Sequence, residues 1–531
     1  MSHPQSQTNP DQPLLDLRDI ETQLRQYEAQ ERTRLGVANK PKPWVDPNPQ
    51  QFTQAQRPLT TILLGGLTQI QDRFMEAGLA SLGYRVKALD CPDNAAMQIG
   101  KEFGNRGQCN PTYFTVGNLV KYLMDLRDNK GLSAEEISQQ YLFVTAGACG
   151  PCRFGTYITE YRKALTDAGF NGFRVLSFKT TSGIKQGDQK QGLAMTPWFF
   201  FTVIKCVILG DIINLLAYRI RPYEQQAGAT DVALAQCREL ICQRLRLGKS
   251  VIPALWKSRK ILAHVKVNRL QPKPKVCIIG EFWAMTTEGD GNYHLQRFLE
   301  GEGAECDIQP VTNWILYLLW QVIHDTRRTL GLKTRQQDHK NKTVAAPYRR
   351  LYMAKLAYWA VQRIFGTFAR TIGLSHYHLS DMNELAQLSQ GFYQAELRGG
   401  EGHLEVGKLI QAVKHHKAHL VISVKPFGCM PSSGVSDGVQ SLIMEKFPDA
   451  HFLPVETSGD GAVNAHSRIQ MALHKARQKC QAEFNTVLQQ QGLETTTLTS
   501  LKDPRFAQAL FYPKHQVAGT AANALLNLNR S

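Results

Sequence analysis

The sequence has few acidic residues for its number of basic ones. Its 531 residues include 62 Lys and Arg but 45 Asp and Glu, which gives a formal net charge of +17 at pH 7. The plainest interpretation is a solvated basic surface, and the functional alternative is attraction to nucleic acid, a membrane surface or a phosphorylated small molecule. The positive charge is densest at 333–342 and 349–350. No aromatic-interleaved basic motif of the RNA- or DNA-binding kind is recognisable in the sequence, so we expect no nucleic-acid partner.

Residues 1–58 lack the apolar core of a secretory signal. They are rich in Gln, Pro, Asn and charge, so we expect a mostly disordered polar tail with one short polar helix over 14–34. The longest apolar stretch, 197–218, contains Lys205 and Asp211, and a charge near the middle of a bilayer costs a few kcal/mol. We therefore expect a buried helix there rather than a membrane span, and a cytoplasmic protein.

Alternating strands and helices are predicted from about residue 59. Short aliphatic and β-branched runs at 60–64, 141–145 and 173–178 are separated by segments whose apolar residues have helical spacing and end at Gly. This order is typical of βαβ units, which form parallel sheets with right-handed crossovers. A second set of such units begins at 275–279.

The sequence therefore predicts an α/β protein with two Rossmann-like parallel-sheet domains that face a cleft and carry helical inserts. Ligands of such domains bind outside the carboxyl ends of the strands. The predicted divisions are a polar tail at 1–58, an N-terminal domain at 59–270 with a helical segment at 197–250, a C-terminal domain at 271–495 with a basic helical insert at 313–398, and an extension at 496–531.

Two short segments of the second predicted domain have similar sequences, TEGDG at 287–291 and TSGDG at 457–461. Both follow predicted strands. The residues Gly-Asp-Gly favour turns, so one interpretation is a pair of ordinary turns. The other is a pair of loops that line the cleft and offer backbone amides to a phosphate or carbonyl oxygen. The sequence favours neither.

Zinc usually requires a second close pair of Cys or His beside a C-x-x-C, and the closely spaced His415, His416 and His419 lie in or beside a predicted helix, where they resemble surface polar residues more than ligands. Eleven cysteines in a chain with cytosolic features argue against a disulfide framework and favour metal or redox use of some thiols. Six lie in predicted helices or strands, where packing is the better interpretation: Cys206, Cys237, Cys242, Cys277, Cys306 and Cys480. The other five lie in loops: Cys91, Cys109, Cys149, Cys152 and Cys429.

Four of the loop cysteines lie where helices are predicted to begin. Cys109 directly precedes such a helix, Cys149 and Cys152 follow the strand at 141–145, and Cys429 follows a later strand. Helix N-termini present free amide donors, which favour thiolate over thiol. We therefore expect these loops to converge on one cleft with thiolates in it.

Three kinds of site are compatible with the pair Cys149 and Cys152: zinc, an iron–sulfur cluster, or a thioredoxin-like redox pair. Iron–sulfur ligation by single cysteines from separate loops fits better, because clusters need thiolates but no fixed spacing. Cys91 is a weaker candidate ligand that also follows a predicted strand. Neither G-x-x-x-x-G-K-[ST] nor a convincing G-x-G-x-x-G occurs, so we predict no ATP site.

Four segments carry a resemblance to a known family. They are GNRGQCNPTYFTVGNL at 104–119, GACGPCRFGTYITEYRKALTDAGFNGFRVLSF at 147–178, EGDGN at 288–292, and KPFGCMPSSGVSDGVQ through ETSGDGAVN at 425–464. The sequence resembles proteins related to 2-hydroxyacyl-CoA dehydratase, such as 2-hydroxyglutaryl-CoA dehydratase components, and most of all the branch related to activases of CoA-substrate-specific enzymes. The resemblance covers most of 59–475.

The resemblance implies two Rossmann-like domains and a [4Fe–4S] cluster held by three cysteines, two early and one late in the chain. It further implies an open iron position for an acyl-CoA thioester, a second dehydratase-like subunit, and a separate ATP-hydrolysing activator that supplies one electron for dehydration through a ketyl radical. Carried over by position, the ligands are Cys109, one of Cys149 and Cys152, and Cys429. Cys149 is favoured, with Cys152 as a spare ligand or supporting thiol.

Further candidate site residues are polar. Ser432 and Ser433 could donate hydrogen bonds to substrate or sulfide, although N-capping is their ordinary role. Arg153 could offset the negative charge of a cluster. Four acidic residues are candidates for proton transfer, against the simpler role of turn residues: Glu288, Asp290, Glu456 and Asp460.

Three functions therefore stay open on the sequence. The first is a cluster-dependent dehydratase or reductase that acts on a CoA thioester or a similar small substrate. The second is a non-enzymatic iron–sulfur protein that carries electrons, senses or assists assembly. The third is a zinc or redox-thiol regulatory protein without iron.

Overall fold

The computed structural model describes residues 17–35, 52–147, 152–178, 192–335, 345–397, 400–494, 498 and 503–528. The chain divides into two compact units, Met1–Asn48 and Pro49–Ser531. The first contains helix α1, Leu17–Arg34, which lies within the helix predicted over 14–34. Its surface is polar, and Glu28 and Arg32 form an ion pair at 2.9 Å one helical turn apart.

The second unit contains two four-stranded sheets in which every pairing is parallel. The first sheet has the order β2-β1-β3-β4 and the second has the order β6-β5-β7-β8, so the two share one topology. The predicted α/β class with parallel sheets is confirmed. The strands are β1 Thr61–Leu64, β2 Arg85–Ala88, β3 Tyr141–Ala146, β4 Arg174–Phe178, β5 Lys275–Gly280, β6 Glu305–Ile308, β7 Leu420–Pro426 and β8 Phe452–Thr457.

Helices connect and cover the strands, because parallel neighbours need a crossover connection. Those between the strands of the first sheet are α2 Gln69–Ala80, α3 Asn94–Phe103, α4 Asn110–Asp128, α5 Ala134–Gln140 and α6 Tyr157–Asp167. Those of the second half are α10 Phe282–Thr286, α11 Leu295–Gly301, α14 Met382–Ser389, α15 His403–Lys414, α16 Met430–Ser433, α17 Gln440–Lys446, α18 Ala462–Gln490 and α19 Thr520–Leu526.

Five further helices form a layer with a core of its own. They are α7 Pro197–Ile220, α8 Ala229–Arg246, α9 Ile252–Ala263, α12 Val311–Arg335 and α13 Ala345–Ile372. Leu209 of α7, Leu255 of α9 and Phe365 of α13 belong to one buried apolar cluster, which also includes Phe74 of α2. The helices predicted at 197–250 and 313–398 are thus present, and they share this core.

Among the described residues, one helix is long and apolar enough to cross a membrane, Pro197–Tyr223, and 67% of its most apolar window is buried within the protein. Core helices of soluble proteins have the same length and composition, so this segment is weak evidence for a membrane span. The burial of residues 206–213 on consecutive positions agrees with a helix that is apolar around most of its circumference there.

The charged residue in this apolar helix, Asp211, caps the start of α12. Its carboxylate accepts hydrogen bonds from the backbone amides of Val311 at 3.0 Å and Thr312 at 2.7 Å, and from Gln71 Nε2 at 2.9 Å. The carboxylate thus accepts from two backbone amides that have no partner within α12. Burial nevertheless raises the pKa of Asp211 from 3.8 to about 7, although the hydrogen bonds oppose that rise.

We expect the stability contributed by Asp211 to depend on pH. Because its folded pKa of about 7 lies above the ordinary 3.8, the fold favours the protonated carboxyl, and this contribution, present in full below pH 3.8, is lost progressively as the pH rises from 3.8 to about 7. The wild-type free energy of unfolding should therefore fall, relative to that of an Asp211→Asn variant, by on the order of a few kcal/mol over this interval. Denaturant unfolding at several pH values measures the free energy of unfolding of the wild type and of the variant.

A matched control for this prediction is Asp449→Asn, which changes an exposed carboxylate. This control should follow the wild-type pH profile. A difference between wild type and Asp211→Asn that stays constant from acidic to mildly alkaline pH would show that the buried carboxyl is ionised throughout.

Candidate functional site

The first predicted ligand, Cys109, caps the N-terminus of α4. Its neighbour Pro111 suits the first turn of that helix because it needs no backbone donor. The thiol is 6% exposed. Its sulfur lies 3.0 Å from the hydroxyl of Tyr157 and 3.2 Å from that of Thr112. The side chain of Cys109 is thus held by two hydroxyl groups.

The Cys109 loop is joined to the loop that carries Cys429. The amide of Asn110 donates to the carbonyl of Phe427 at 3.0 Å, and its side-chain amide donates to the carbonyl of Thr457 at 2.9 Å. Gly428, at φ +77°, lies so close that an added Cβ would be 3.2 Å from the Cα of Cys109. Both loops follow or face the carboxyl ends of strands β7 and β8, where ligands of parallel sheets bind.

Cys429 caps the short helix α16 and is 7% exposed. Burial raises the pKa of its thiol far above the ordinary value, and the negative charge of Glu281 raises it further, while a hydrogen bond from Ser432 opposes the rise. Ser432 is itself buried. The hydroxyl of the next residue, Ser433, donates to the carbonyl of Cys429 at 2.7 Å, so it stabilises the turn.

Cys152 caps a short 3₁₀ helix, Arg153–Thr156. Burial raises the pKa of its thiol to about 11, and the charges of Glu281, Glu401 and Cys109 add to the rise. The same two carboxyls therefore act on Cys152 and Cys429. The structure brings three of the predicted cysteines, Cys109, Cys152 and Cys429, into one electrostatic environment.

Cys149 lies outside the described residues. Arg153 follows Cys152 directly and is half-buried, and its carbonyl accepts a hydrogen bond from Thr156 at 2.8 Å. The choice between Cys149 and Cys152 as a ligand stays a prediction.

The carboxyls of two residues, the half-buried Glu281 and the buried Glu401, were not predicted from the sequence. Glu281 follows strand β5 and caps α10 by accepting from the amide of Ala284 at 2.8 Å. Glu401 accepts from the amide of Phe282 at 2.9 Å. Burial raises the pKa of Glu281 to about 7, and burial together with the charge of Glu281 raises the pKa of Glu401 well above its usual range. At neutral pH the pair therefore retains at least one proton.

The prediction that a helix N-terminus favours the thiolate is wrong for two of the cysteines. Although Cys152 and Cys429 both cap helices, burial and nearby carboxyls raise their pKa values instead of lowering them. The short helices that they cap offer few aligned peptide dipoles. Desolvation of the charged form is the larger effect. These thiols are protonated at neutral pH unless a metal displaces the proton.

Cys91 lies apart from this group, against the turn at 287–291. Its sulfur is 3.9 Å from the hydroxyl of Thr287, and an added Cβ on Gly289 would be 2.8 Å from it. Burial raises the pKa of Cys91. Its neighbours are Glu288 and Asp72, so the described contacts of Cys91 link it to that turn.

The acidic candidates of the first of the two similar turns, at 287–291, accept hydrogen bonds from backbone amides. Glu288 accepts from the amide of Gln69, the first residue of α2, at 2.6 Å. Asp290 accepts from the amide of Asn94, the first residue of α3, at 2.8 Å. These carboxylates cap helices of the first sheet from a loop of the second, which supports their interpretation as turn and cap residues.

The second of these turns, at 457–461, is held by hydrogen bonds of Ser458. The hydroxyl of Tyr293 accepts from the amide of Ser458 at 2.7 Å, and Ser458 Oγ donates to Asp460 at 2.7 Å. That hydrogen bond lowers the pKa of Asp460. Asp460 and Glu456 are exposed, so neither shares the buried environment of the thiols.

Comparison with known proteins gives no further assignment: no protein-family model matches the chain, and no curated protein matches it. Within the described ranges, no group of three or more His, Cys, Asp and Glu side chains has the arrangement of a preformed metal site. Cys149 falls outside those ranges.

A side chain at Gly428 should push apart the loops of Cys109 and Cys429. In Gly428→Ala, the new Cβ would meet the carbonyl of Gln108 at 3.1 Å in a backbone conformation of positive φ. We expect a loss of about 1–3 kcal/mol in the free energy of unfolding. Gly434→Ala is the matched control, because Gly434 has ordinary helical φ and nothing within 4 Å of its added Cβ. Equal stability of the two variants would contradict the close contact.

Proposed function

We propose that this protein holds a [4Fe–4S] cluster and acts as a low-potential dehydratase or reductase on a CoA thioester or similar small substrate, as a relative of the 2-hydroxyacyl-CoA dehydratase subunits. The observation that carries the proposal is the close contact between the loops of Cys109 and Cys429, beside which the charges of Glu281 and Glu401 act on both Cys152 and Cys429. These residues come from distant parts of the chain, as iron–sulfur ligands often do.

The donor set fits such a cluster. Cys109 has two hydroxyl groups within hydrogen-bonding distance of its sulfur, from Tyr157 and Thr112, and hydrogen bonds to ligand sulfur tune cluster potential. The raised pKa values of Cys152 and Cys429 disfavour a free nucleophilic or redox-active thiol, since reactive thiols have lowered pKa values. Metal binding supplies the driving force to deprotonate them.

The carboxyls of Glu281 and Glu401 also fit. A cluster with several thiolate ligands is anionic, and ionised carboxylates beside it would repel it. Because burial raises the pKa values of Glu281 and Glu401, protonated, neutral carboxyls are favoured there. Such carboxyls can donate a hydrogen bond or a proton to a bound substrate.

The residues of the chain would then have separate roles. Cys109, Cys429 and one of Cys149 and Cys152 would hold the cluster, and Tyr157 would orient the sulfur of Cys109. Glu281 and Glu401 would hold the proton required when an oxygen leaves the substrate. The chemistry that a bound cluster supplies is transfer of one electron at low potential.

The wider arrangement belongs to the same proposal. The two parallel sheets would be Rossmann-like domains that face a cleft, with the substrate outside the carboxyl ends of their strands. An ATP-hydrolysing activator protein would be the electron donor, and a second dehydratase-like subunit would complete the enzyme in the cytoplasm. The sequence resemblance supports these partners.

The cluster is tested by anaerobic purification and assay of iron and sulfide. We expect a brown protein, and we expect Cys109→Ser and Cys429→Ser to lose most of the iron because each removes a ligand from a different half of the site. Comparing Cys149→Ser with Cys152→Ser identifies the remaining ligand. Cys480→Ser, which changes a buried cysteine of α18, is the matched control and should retain its iron.

Two results would refute the cluster. One is a colourless protein without iron or sulfide after anaerobic purification and reconstitution. The other is full iron content in Cys429→Ser, which would show that the loop after β7 of the second sheet supplies no ligand. Zinc in place of iron, with the same cysteine dependence, would assign a zinc protein.

Catalysis is tested separately with cluster-loaded protein reduced by titanium(III) citrate and incubated with a 2-hydroxyacyl-CoA. Mass spectrometry should detect loss of water, and Glu401→Gln should slow that reaction about a hundredfold while it retains iron. Glu302→Gln, which changes a half-buried carboxylate that pairs with Arg477 of α18, is the control and should keep full activity. An intact, reducible cluster without turnover on any CoA thioester would favour an electron carrier.

A further inference from the structure

Helix α13, Ala345–Ile372, has an unusual charge distribution. The sequence contains no Asp or Glu between Asp338 and Asp381, and the helix carries five cations within this range: Arg349, Arg350, Lys355, Arg363 and Arg370. Helix α9, which packs against α13, also has no acidic residue. The two helices therefore present positive charge without carboxylates of their own to neutralise it.

One face of α13 is anchored in the protein. Val361, Phe365 and Ala369 are buried in the core of the helical layer, and Ala354 is also buried. Their spacing of four or seven residues places them on a single side of the helix. The orientation of α13 is thus fixed, and its opposite side is turned away from the core.

The opposite side is aromatic and aliphatic. Tyr348, Tyr352, Leu356 and Trp359 follow one another at spacings of four, four and three residues, and each is 44–67% exposed. Met353, beside them, is 56% exposed. A continuous stripe of large exposed apolar side chains marks an interaction surface rather than scattered surface residues.

Cations lie among these rings. The guanidinium of Arg363 is 5.5 Å from the centre of the Trp359 ring, and on α9 the ammonium of Lys260 is 3.8 Å from the centre of the Trp256 ring. Trp256 is 53% exposed. The same combination of exposed Trp and basic side chains therefore occurs on both helices.

We propose that the outer side of α13, with the adjoining α9, binds the surface of a membrane that contains anionic lipids. This surface is defined by Tyr348, Tyr352, Leu356, Trp359 and the surrounding Arg and Lys residues, and it is called the basic aromatic face. Trp and Tyr prefer the interface between lipid headgroups and acyl chains, and basic residues are attracted to anionic headgroups. The helix lies along the membrane and does not cross it.

The aliphatic residues favour a lipid surface over nucleic acid. Bases stack on aromatic rings, but Leu356 and Met353 lie in the same exposed stripe and offer no stacking surface. Insertion of such side chains among acyl chains removes their apolar area from water. A membrane thus accounts for the aromatic, aliphatic and basic residues together.

The test is flotation of the full-length protein with phosphatidylcholine vesicles, with and without phosphatidylglycerol. We expect binding to the vesicles with phosphatidylglycerol and weaker binding as salt is added. The double variant Leu356→Ser/Arg363→Glu should bind at least about tenfold more weakly, because it removes one inserted side chain and reverses one charge.

The matched control is Met471→Ser/Lys475→Glu, which makes the same kinds of change at two exposed positions one turn apart on α18. It should bind as the wild type does. Circular dichroism and the thermal midpoint confirm that both variants are folded. Equal loss of binding in the two variants would show that binding depends on the net charge of the protein and not on α13, and it would overturn the proposal.

Two further outcomes would also overturn it. One is absence of binding to vesicles that contain phosphatidylglycerol. The other is binding of a single-stranded oligonucleotide that depends on Leu356 and Arg363 while vesicles do not compete, which would assign the basic aromatic face to nucleic acid.

Discussion

The arrangement of the candidate site depends on one close contact between backbones, that of Gly428 with Cys109. Only a hydrogen atom fits on the α-carbon of Gly428 without crowding Gln108 and Cys109. The hydrogen bond from Asn110 to Phe427 fixes the relative position of the two loops. Because α4 begins at one of these loops and β7 ends at the other, the contact also positions the two sheets and their thiols.

Hydrogen bonds at helix ends make this association specific. The first amides of α2 and α3 need acceptors from outside their helices, and Glu288 and Asp290 of the second half supply them. Asp211 does the same for α12. Apolar burial supplies most of the free energy of such packing, but it is not directional. The caps favour one register, since a shift would leave these amides without their acceptors.

Sequence periodicity was sufficient to predict the parallel strands, because aliphatic runs alternate with helical segments that end at Gly. It also identified Cys109, Cys152 and Cys429 as loop residues at positions where helices begin. It could not identify Glu281 and Glu401 as partners, since they are far apart in the sequence and meet only through Phe282. One signal was available: Glu281 directly follows β5, at the carboxyl end of a parallel strand.

The thiol pKa values were not predictable, because burial depends on all the elements that surround a side chain. A helix N-terminus is visible in the sequence, whereas the desolvation that overrides it at Cys152 and Cys429 is not. The consequence is chemical. The raised pKa values of Cys152 and Cys429 mean that a ligand that binds their thiolates must first displace two protons. The metal or cluster proposed for this site must therefore bind thiolate strongly enough to offset that cost.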